Sequence, residues 1–207
     1  MVTLLRVGQR RLSASAGRPL APSAANAYLL EHARLLNGSL LRLTGRSFLP
    51  TDPTADDARL LAANAELVVV SHGVDAPEPV FNYATRAGLE LWEIEWDALV
   101  CLPSSKSAEQ VERSERLKLL DEVRANGFIA DYTGIRVSAK GRRFMISNAL
   151  VWDVRDEAGV LRGQACTFER SKLTAVECFR FYAEAKSCYT RTTCASTAVL
   201  GDAPHTS

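Results

Sequence analysis

From Phe128 to Glu169 the hydrophobic period of the chain is two, through three runs separated by short glycine-containing turns. "FIADYTGIRVS" (128–138) leads to Ala139-Lys140-Gly141, "RRFMISNALVWDV" (142–154) ends at "RDEAG", and "VLRGQACTFE" (160–169) follows. Alternating side chains rich in β-branched and aromatic residues form strands, and turns this short join antiparallel neighbours. No other feature constrains the fold as much: it predicts an antiparallel meander that makes up the broad half of a sheet. Upstream, "LVVVSHG" (67–73) reads as a buried strand and "VFNY" (80–83) as another, with "VDAPEP" as the turn between them.

The other segments are helical. Leu29, Ala33, Leu36, Leu40 and Leu43 recur at spacings of four and three, one face of a helix that Ser23 can cap. His32 and Arg34 turn away from that row, so His32 reads as a solvated residue, and Asn37-Gly38 is a place for a kink or break. Thr54 and Asp57 form a capping-box variant before a short helix. In "VFNYATRAGLELWEIEWDALVCLP" (80–103) strand gives way to helix at Tyr83-Ala84-Thr85, with Thr85 expected as the cap. "SAEQVERSERLKLLDEVRANG" (107–127) reads as the long helix, capped by Ser107 and Gln110 and ended by Gly127. The most economical packing is α+β: a five-stranded antiparallel sheet with its helices on one face, plus an N-terminal helix.

The ends of the chain differ from this centre. Residues 1–22 carry Arg6, Arg10, Arg11 and Arg18, and no acidic residue precedes Glu31. That composition fits either an organelle transit peptide or a disordered leader. The domain is expected at 23–169. Residues 170–207 read as a short helix, with Leu173, Val176, Phe179 and Tyr182 at spacings of three, and a disordered tail. The net charge of +1 supplies no basic field, so direct nucleic-acid binding is not expected. No run approaches the roughly 18 apolar residues that span a bilayer, so no membrane segment is expected. The compartment expected is the cytoplasm, or a plastid or mitochondrion if the leader is a transit peptide. Five cysteines without a C-x-x-C pair read as free thiols, and three histidines (His32, His72, His205) leave no closed zinc site.

"VVVSHG", "PVFNYATRAGLELWEIEWDALVCLPS", "SAEQVERSERLKLL", "GFIADYTGIRVSAKGRRFMISNALVWDV" and "GVLRGQACTF" together resemble the MEKHLA family, a PAS-related domain. That family occurs alone in bacteria and at the C-terminus of plant homeodomain–leucine zipper transcription factors. The resemblance covers about residues 25 to 169. It departs from the family at Thr85, where Asn is usual, at Cys101, where Gly is usual, and in lacking a Trp soon after the last strand. It implies a PAS-like fold that holds haem, flavin or another small ligand, or that dimerises. Haem sensors of this fold commonly use a histidine on the long helix, and residues 107–126 contain none. Flavin photosensors use a cysteine in an Asn-Cys-Arg-Phe-type motif. Cys101, between Val100 and Leu102-Pro103, reads as a small hydrophobe near the core. Neither haem nor flavin is therefore expected. The resemblance implies a small-molecule ligand, a protein partner, or a homodimer through the 23–43 helix or the sheet face.

The candidate site rests on aromatic and strand residues. Trp92, Trp96 and Trp152 bring apolar area and an indole N–H, which serves a core or a pocket wall equally. Strict alternation puts Phe128, Ala130, Tyr132, Gly134 and Arg136 on one face of their strand. It puts Phe144, Ile146, Asn148, Leu150 and Trp152 together on the next, and Arg162, Gln164, Cys166 and Phe168 on the last. If Tyr132, Arg136, Asn148 and Gln164 point under the helices, they join Trp92 and Trp96 around a polar-tipped pocket for a small anionic or hydrogen-bonding ligand. If they point outward they are sheet surface, which is the expectation for Arg136. Asp131 and Asp153 have no nucleophile–base pair beside them, and no phosphate-binding glycine loop is present. The alternative, a small enzyme using Tyr132 and Asp131 in one cavity, needs a bulge, because strand neighbours face opposite ways. The expectation is a non-enzymatic sensory or regulatory domain.

Overall fold

β3 (Phe128–Val137) and β4 (Arg143–Arg155) pair antiparallel around a turn in which Gly141 takes φ 82°, and β4 pairs with β5 (Leu161–Glu169) around a turn in which Gly159 takes φ 79°. Both glycines stand where an L side chain is strained. β5 then pairs with β1 (Leu67–His72), and β1 with β2 (Phe81–Ala84). The resulting five-stranded antiparallel sheet has the order β2-β1-β5-β4-β3. The computed structural model describes residues 18–74, 78–107, 123 and 125–172.

The sheet is covered on both faces. In β1, Val69 packs on one side with Ala33, Leu36 and Leu40 of α1 (Leu30–Thr44), together with Leu150, Trp152 and Val154. Val68 and Val70 pack on the other side with Ala87, Leu91 and Trp92 of α3 (Arg86–Trp92), together with Phe144, Ile146 and Phe168. A strand buried on both sides has no polar face to alternate, which is why "LVVV" is continuous. α1 thus covers the face opposite α3.

Strict alternation fails at two residues. Asp131 and Asn148 take φ 58° and 52°, and the β3–β4 register shifts between Ile129 and Tyr132 and again between Tyr132 and Gly134. Asp and Asn are among the residues that tolerate this conformation. Each irregularity turns the following side chains to the other face. Phe144 and Ile146 therefore lie on the α3 side while Leu150 and Trp152 lie on the α1 side, and Phe128 parts from Tyr132. The single faces expected for β3 and β4 are corrected accordingly.

The helix ends follow local chemistry. Thr54 and Asp57 exchange hydrogen bonds at the start of α2 (Ala55–Ala62) as expected. Gly127 takes φ 78° and its N–H donates to Val123 O at 2.7 Å, which ends a helical turn there; Val123 is buried against Val151. The body of the expected long helix lies outside the described residues, as does the segment from Leu173 onward. α1 runs through Asn37-Gly38 without a break. Asn37 is buried, and its Oδ1 accepts from Phe48 N–H and Leu49 N–H, tying the following loop back onto the helix. The N-terminal helix opens after Ser23 as expected, with Ser23 N–H donating to Asn26 Oδ1 at 2.9 Å, but its first part, Ala24–Leu29, is a 3-10 helix in which Ala27, Tyr28 and Leu29 have positive φ, and α1 follows from Leu30. Ser39 then pins α1 to β4, donating to Asp153 O and accepting from Arg155 N–H, both at 2.9 Å.

Thr85 stands at the N-cap position of α3, but its hydroxyl caps no helical N–H. It donates to Leu67 O at 2.8 Å and accepts from Val69 N–H at 3.1 Å. The expected cap is in fact a fully buried bridge to β1.

Candidate functional site

The α3 side of the sheet holds a cavity of about 80 Å³. Its base crosses three strands in register, with Val70 of β1 opposite Cys166 of β5 and Cys166 opposite Val151 of β4. One step along, His72 stands opposite Gln164. Among the described residues, Phe81, Ile146, Trp92, Arg136, and Ser104 and Ser107 of the 3-10 turn Ser104–Ser107 also line it. A single water needs roughly 10–15 Å³, so this space is several times larger.

Trp92 is placed by both its ring and its backbone. The indole packs edge-on to Phe144 at 5.1 Å and tilted to Phe168 at 6.4 Å. Trp92 O accepts from Ala139 N–H, and Arg142 Nη2 donates to Leu91 O, so the β3–β4 turn grips the end of α3. The next residue, Glu93, takes φ 52° and accepts from Ser138 Oγ at 2.6 Å and Arg142 Nε at 3.3 Å. The Ser138 hydrogen bond, followed by Arg142, holds the Glu93 carboxyl below its ordinary range.

Arg136 is half-buried on the wall. Its Nη2 donates to the Tyr132 hydroxyl at 3.0 Å, its Nη1 donates to Ile135 O at 2.9 Å, and its guanidinium lies 5.3 Å from the centre of the Tyr132 ring. The Tyr132 oxygen occupies the space beside Gly134, where an added Cβ would lie only 2.2 Å from it. No aspartate or glutamate is among the described wall residues, and none among the described residues forms an ion pair with Arg136. Asp153, the register partner of Gln164, is buried and paired with Arg155 at 3.0 Å.

Two residues on the wall each carry a buried side-chain atom with no hydrogen-bond partner among the described residues: Trp92 Nε1 and Ser104 Oγ. Ser107 Oγ donates to Ser104 O, and His72 Nδ1 lies 2.9 Å from Gly73 O. Burial pushes the Cys166 thiol up to about 12, with a smaller opposing effect from Arg136. The residue as a whole keeps some exposed surface, but it packs on Val123 and Val151, so the thiol stays protonated near neutral pH. It is no nucleophile there.

The structure brings Trp92, Arg136 and Gln164 together at the cavity, and Tyr132 joins them through Arg136. Arg136, expected outside, is on the wall because the bulge at Asp131 leaves Tyr132, Gly134 and Arg136 on the α3 side. Asn148 is exposed at its own bulge and takes no part. Trp96 lies with the α1-side core, edge-on to Tyr83 at 6.3 Å, and its Nε1 donates to Pro19 O. Cys101 is exposed, its thiol donating to Asp97 O at the end of α4 (Trp96–Leu99), and is not the core residue expected. The sequence reading missed His72, Ser104, Ser107 and Cys166. The register of β1 against β5 brings the first and last together, and nothing local announces it.

His32 also departs from expectation. Its Nε2 is 3.0 Å from Ser71 Oγ, which donates to Asn82 Oδ1 at 2.6 Å, and its ring is 5.5 Å from that of Tyr83. Because Ser71 gives its proton to Asn82, it accepts from His32 Nε2–H. Desolvation lowers the His32 pKa from the ordinary 6.5 to about 4. His32 is a neutral link between α1 and β1.

The profile of the MEKHLA domain matches residues 30–173, more than half of the 207 residues. The chain belongs to the MEKHLA domain family. No curated protein matches it. Among solved structures, it is similar to a PAS domain of a protein from Colwellia psychrerythraea, with 9% identity, 56% of this chain and 96% of that chain covered, and a TM-score of 0.47. It is also similar to an RNA-binding Light-Oxygen-Voltage receptor, with 14% identity, coverage of 70% and 42%, and a TM-score of 0.48. A third is a Light-Oxygen-Voltage domain studied with a flavin analogue, with 13% identity, coverage of 65% and 93%, and a TM-score of 0.43. Likeness at this level concerns the fold alone. Among the described residues of this MEKHLA domain, no cluster of His, Cys, Asp or Glu could hold a metal ion, and no helix is long and apolar enough to cross a membrane.

Proposed function

We propose that this MEKHLA domain is a non-enzymatic sensory or regulatory module that takes a small molecule into the cavity beside Trp92. The observation that carries the reading is a mostly apolar cavity lined by two residues, Trp92 and Ser104, whose buried Nε1 and Oγ have no hydrogen-bond partner among the described residues. Buried polar groups are nearly always paired, and a pocket with apolar walls and a few polar tips is how proteins orient small ligands. The protonated Cys166 and the lack of a nucleophile–base pair among the described residues favour binding over catalysis. Size favours a compact ligand. A cavity of about 150 Å³ accepts one benzene ring, so a cavity of about 80 Å³ is far short of a flavin or a haem. Occupancy acts by favouring one packing of the domain over another, which requires a ligand with different affinities for the two. Partner contacts in this reading fall on the outer side of α1, where Leu41 is 42% exposed.

Native mass spectrometry and an absorption spectrum of the purified full chain test the reading. The expected result is a colourless protein carrying a small metabolite, or an empty one that small ligands stabilise. A haem or flavin spectrum at stoichiometric occupancy overturns it.

A further inference from the structure

We propose that the cavity ligand is a short-chain monocarboxylate, its carboxylate held by Arg136, Trp92 Nε1–H and the Ser104 hydroxyl, and its alkyl part lying against Ile146 and Val151. This rests on the cavity being a ligand site.

The donor set selects the charge. The indole N–H donates and cannot accept, so whatever fills the cavity beside Trp92 must offer an acceptor. Trp92 is 4% exposed and Ser104 is 6% exposed, so water outside the protein does not serve them. An unpartnered buried atom does not mark a site alone, since Tyr83 Oη and Trp152 Nε1 are also buried without partners and neither residue lines the cavity. At Trp92 and Ser104 the unpartnered atoms share a wall with a guanidinium. Arg136 brings the one side chain on that described wall that carries a charge at every physiological pH, with no described carboxylate opposite it. Its ring contact and hydrogen bond with Tyr132 fix the planar fork in place, and the two bonds it makes leave N–H donors over. A fixed fork matches a planar carboxylate through paired N–H donors.

The remaining wall selects the body. Val70, Phe81, Ile146 and Val151 give apolar surface that a phosphate or sulfate would leave uncovered. A volume about half that of a cavity that accepts one benzene ring holds a ligand portion of only a few heavy atoms. A monocarboxylate of two to four carbons meets the charge, the acceptor and the size together.

The test uses the full chain labelled with ¹⁵N, titrated with propionate or with its neutral isostere propionamide at constant ionic strength. The indole signal of Trp92 is identified by its absence in Trp92→Phe. Propionate is expected to move that signal saturably, with propionamide binding at least tenfold more weakly. Arg136→Met is expected to weaken propionate at least tenfold while the rest of the spectrum stays dispersed. The comparison of propionate with propionamide in the unaltered protein needs no variant, so it decides even if Arg136→Met does not fold. Equal affinity for the two compounds overturns the carboxylate assignment and leaves the cavity a ligand site. If neither compound moves the Trp92 signal, the assignment fails. If the purified protein also carries no small molecule, the ligand-binding reading fails with it.

Discussion

Ser71 and His72 are neighbours in β1, and their side chains serve opposite faces of the sheet. Ser71 joins His32 and Asn82 in a hydrogen-bonded link beneath α1. His72 stands beside Gln164 on the cavity wall. On the α1 side, aromatic and aliphatic groups pack together, and Ser39 adds a second polar link to β4. On the α3 side, Trp92, Phe144 and Phe168 fill one half, and the other half is open space edged with polar atoms. The faces share strands and register, so they differ in what the covering helices supply. One face is filled by side chains, and the other leaves a cavity.

Substitutions should separate these roles. Trp152→Ala empties a fully buried site under α1 and is expected to cost about 4 kcal/mol in a urea or guanidinium unfolding curve. A loss below about 2 kcal/mol would contradict the assignment of this face as the packed one. Gly163→Ala comes next, at about 3 kcal/mol, because the new Cβ would lie 2.0 Å from His72 O and the backbone of β1 cannot easily retreat. It should also weaken ligand binding, since it displaces the rim at His72 and Gln164. Thr85→Val removes a hydroxyl that serves two buried backbone groups and is expected to cost about 2 kcal/mol, with Thr85→Ser recovering most of it.

The His32 link gives a pH dependence. Its folded pKa of about 4 lies below the ordinary 6.5, so the unfolded chain binds a proton that the folded chain refuses. Stability from this group is complete above pH 6.5, falls as pH drops toward 4, and is level below that. Melting curves of the native chain and His32→Gln should converge in slope at high pH and diverge across this window. Parallel curves would place His32 in solvent after all. The smallest effect is at Asn148, which is exposed with φ 52°. Asn148→Gly is expected to be neutral or to stabilise by a few tenths of a kcal/mol, and Asn148→Val to destabilise by about 1 kcal/mol. Neither should change propionate binding, because Asn148 is not on the wall.

Much of the fold was legible in the sequence because it rests on neighbours along the chain. The turns at Gly141 and Gly159, the Thr54–Asp57 exchange and the helix end at Gly127 depend on the conformational freedom and hydrogen bonds of a few consecutive residues. Periodicity located the strands for the same reason. The candidate site was half legible: side-chain chemistry marks Trp92, Arg136, Tyr132 and Gln164, and it marks Trp96 and Asn148 equally.

What distinguished those residues is not written locally. A period of two predicts faces only while the ladder stays regular, and the bulges at Asp131 and Asn148 reverse it where β3 meets β4. Two tryptophans four residues apart share a helical face only if the helix continues. Here Glu93 takes a left-handed conformation between them, so Trp92 turns to the cavity and Trp96 to the α1-side core. The sequence by itself determined the five strands, their turns and the apolar stripe of α1, all consequences of short-range sterics and hydrophobic period. Only the tertiary structure decided which side each polar group faces, because desolvation of His32, the bridge at Thr85 and the unpaired indole of Trp92 depend on groups far away in the chain.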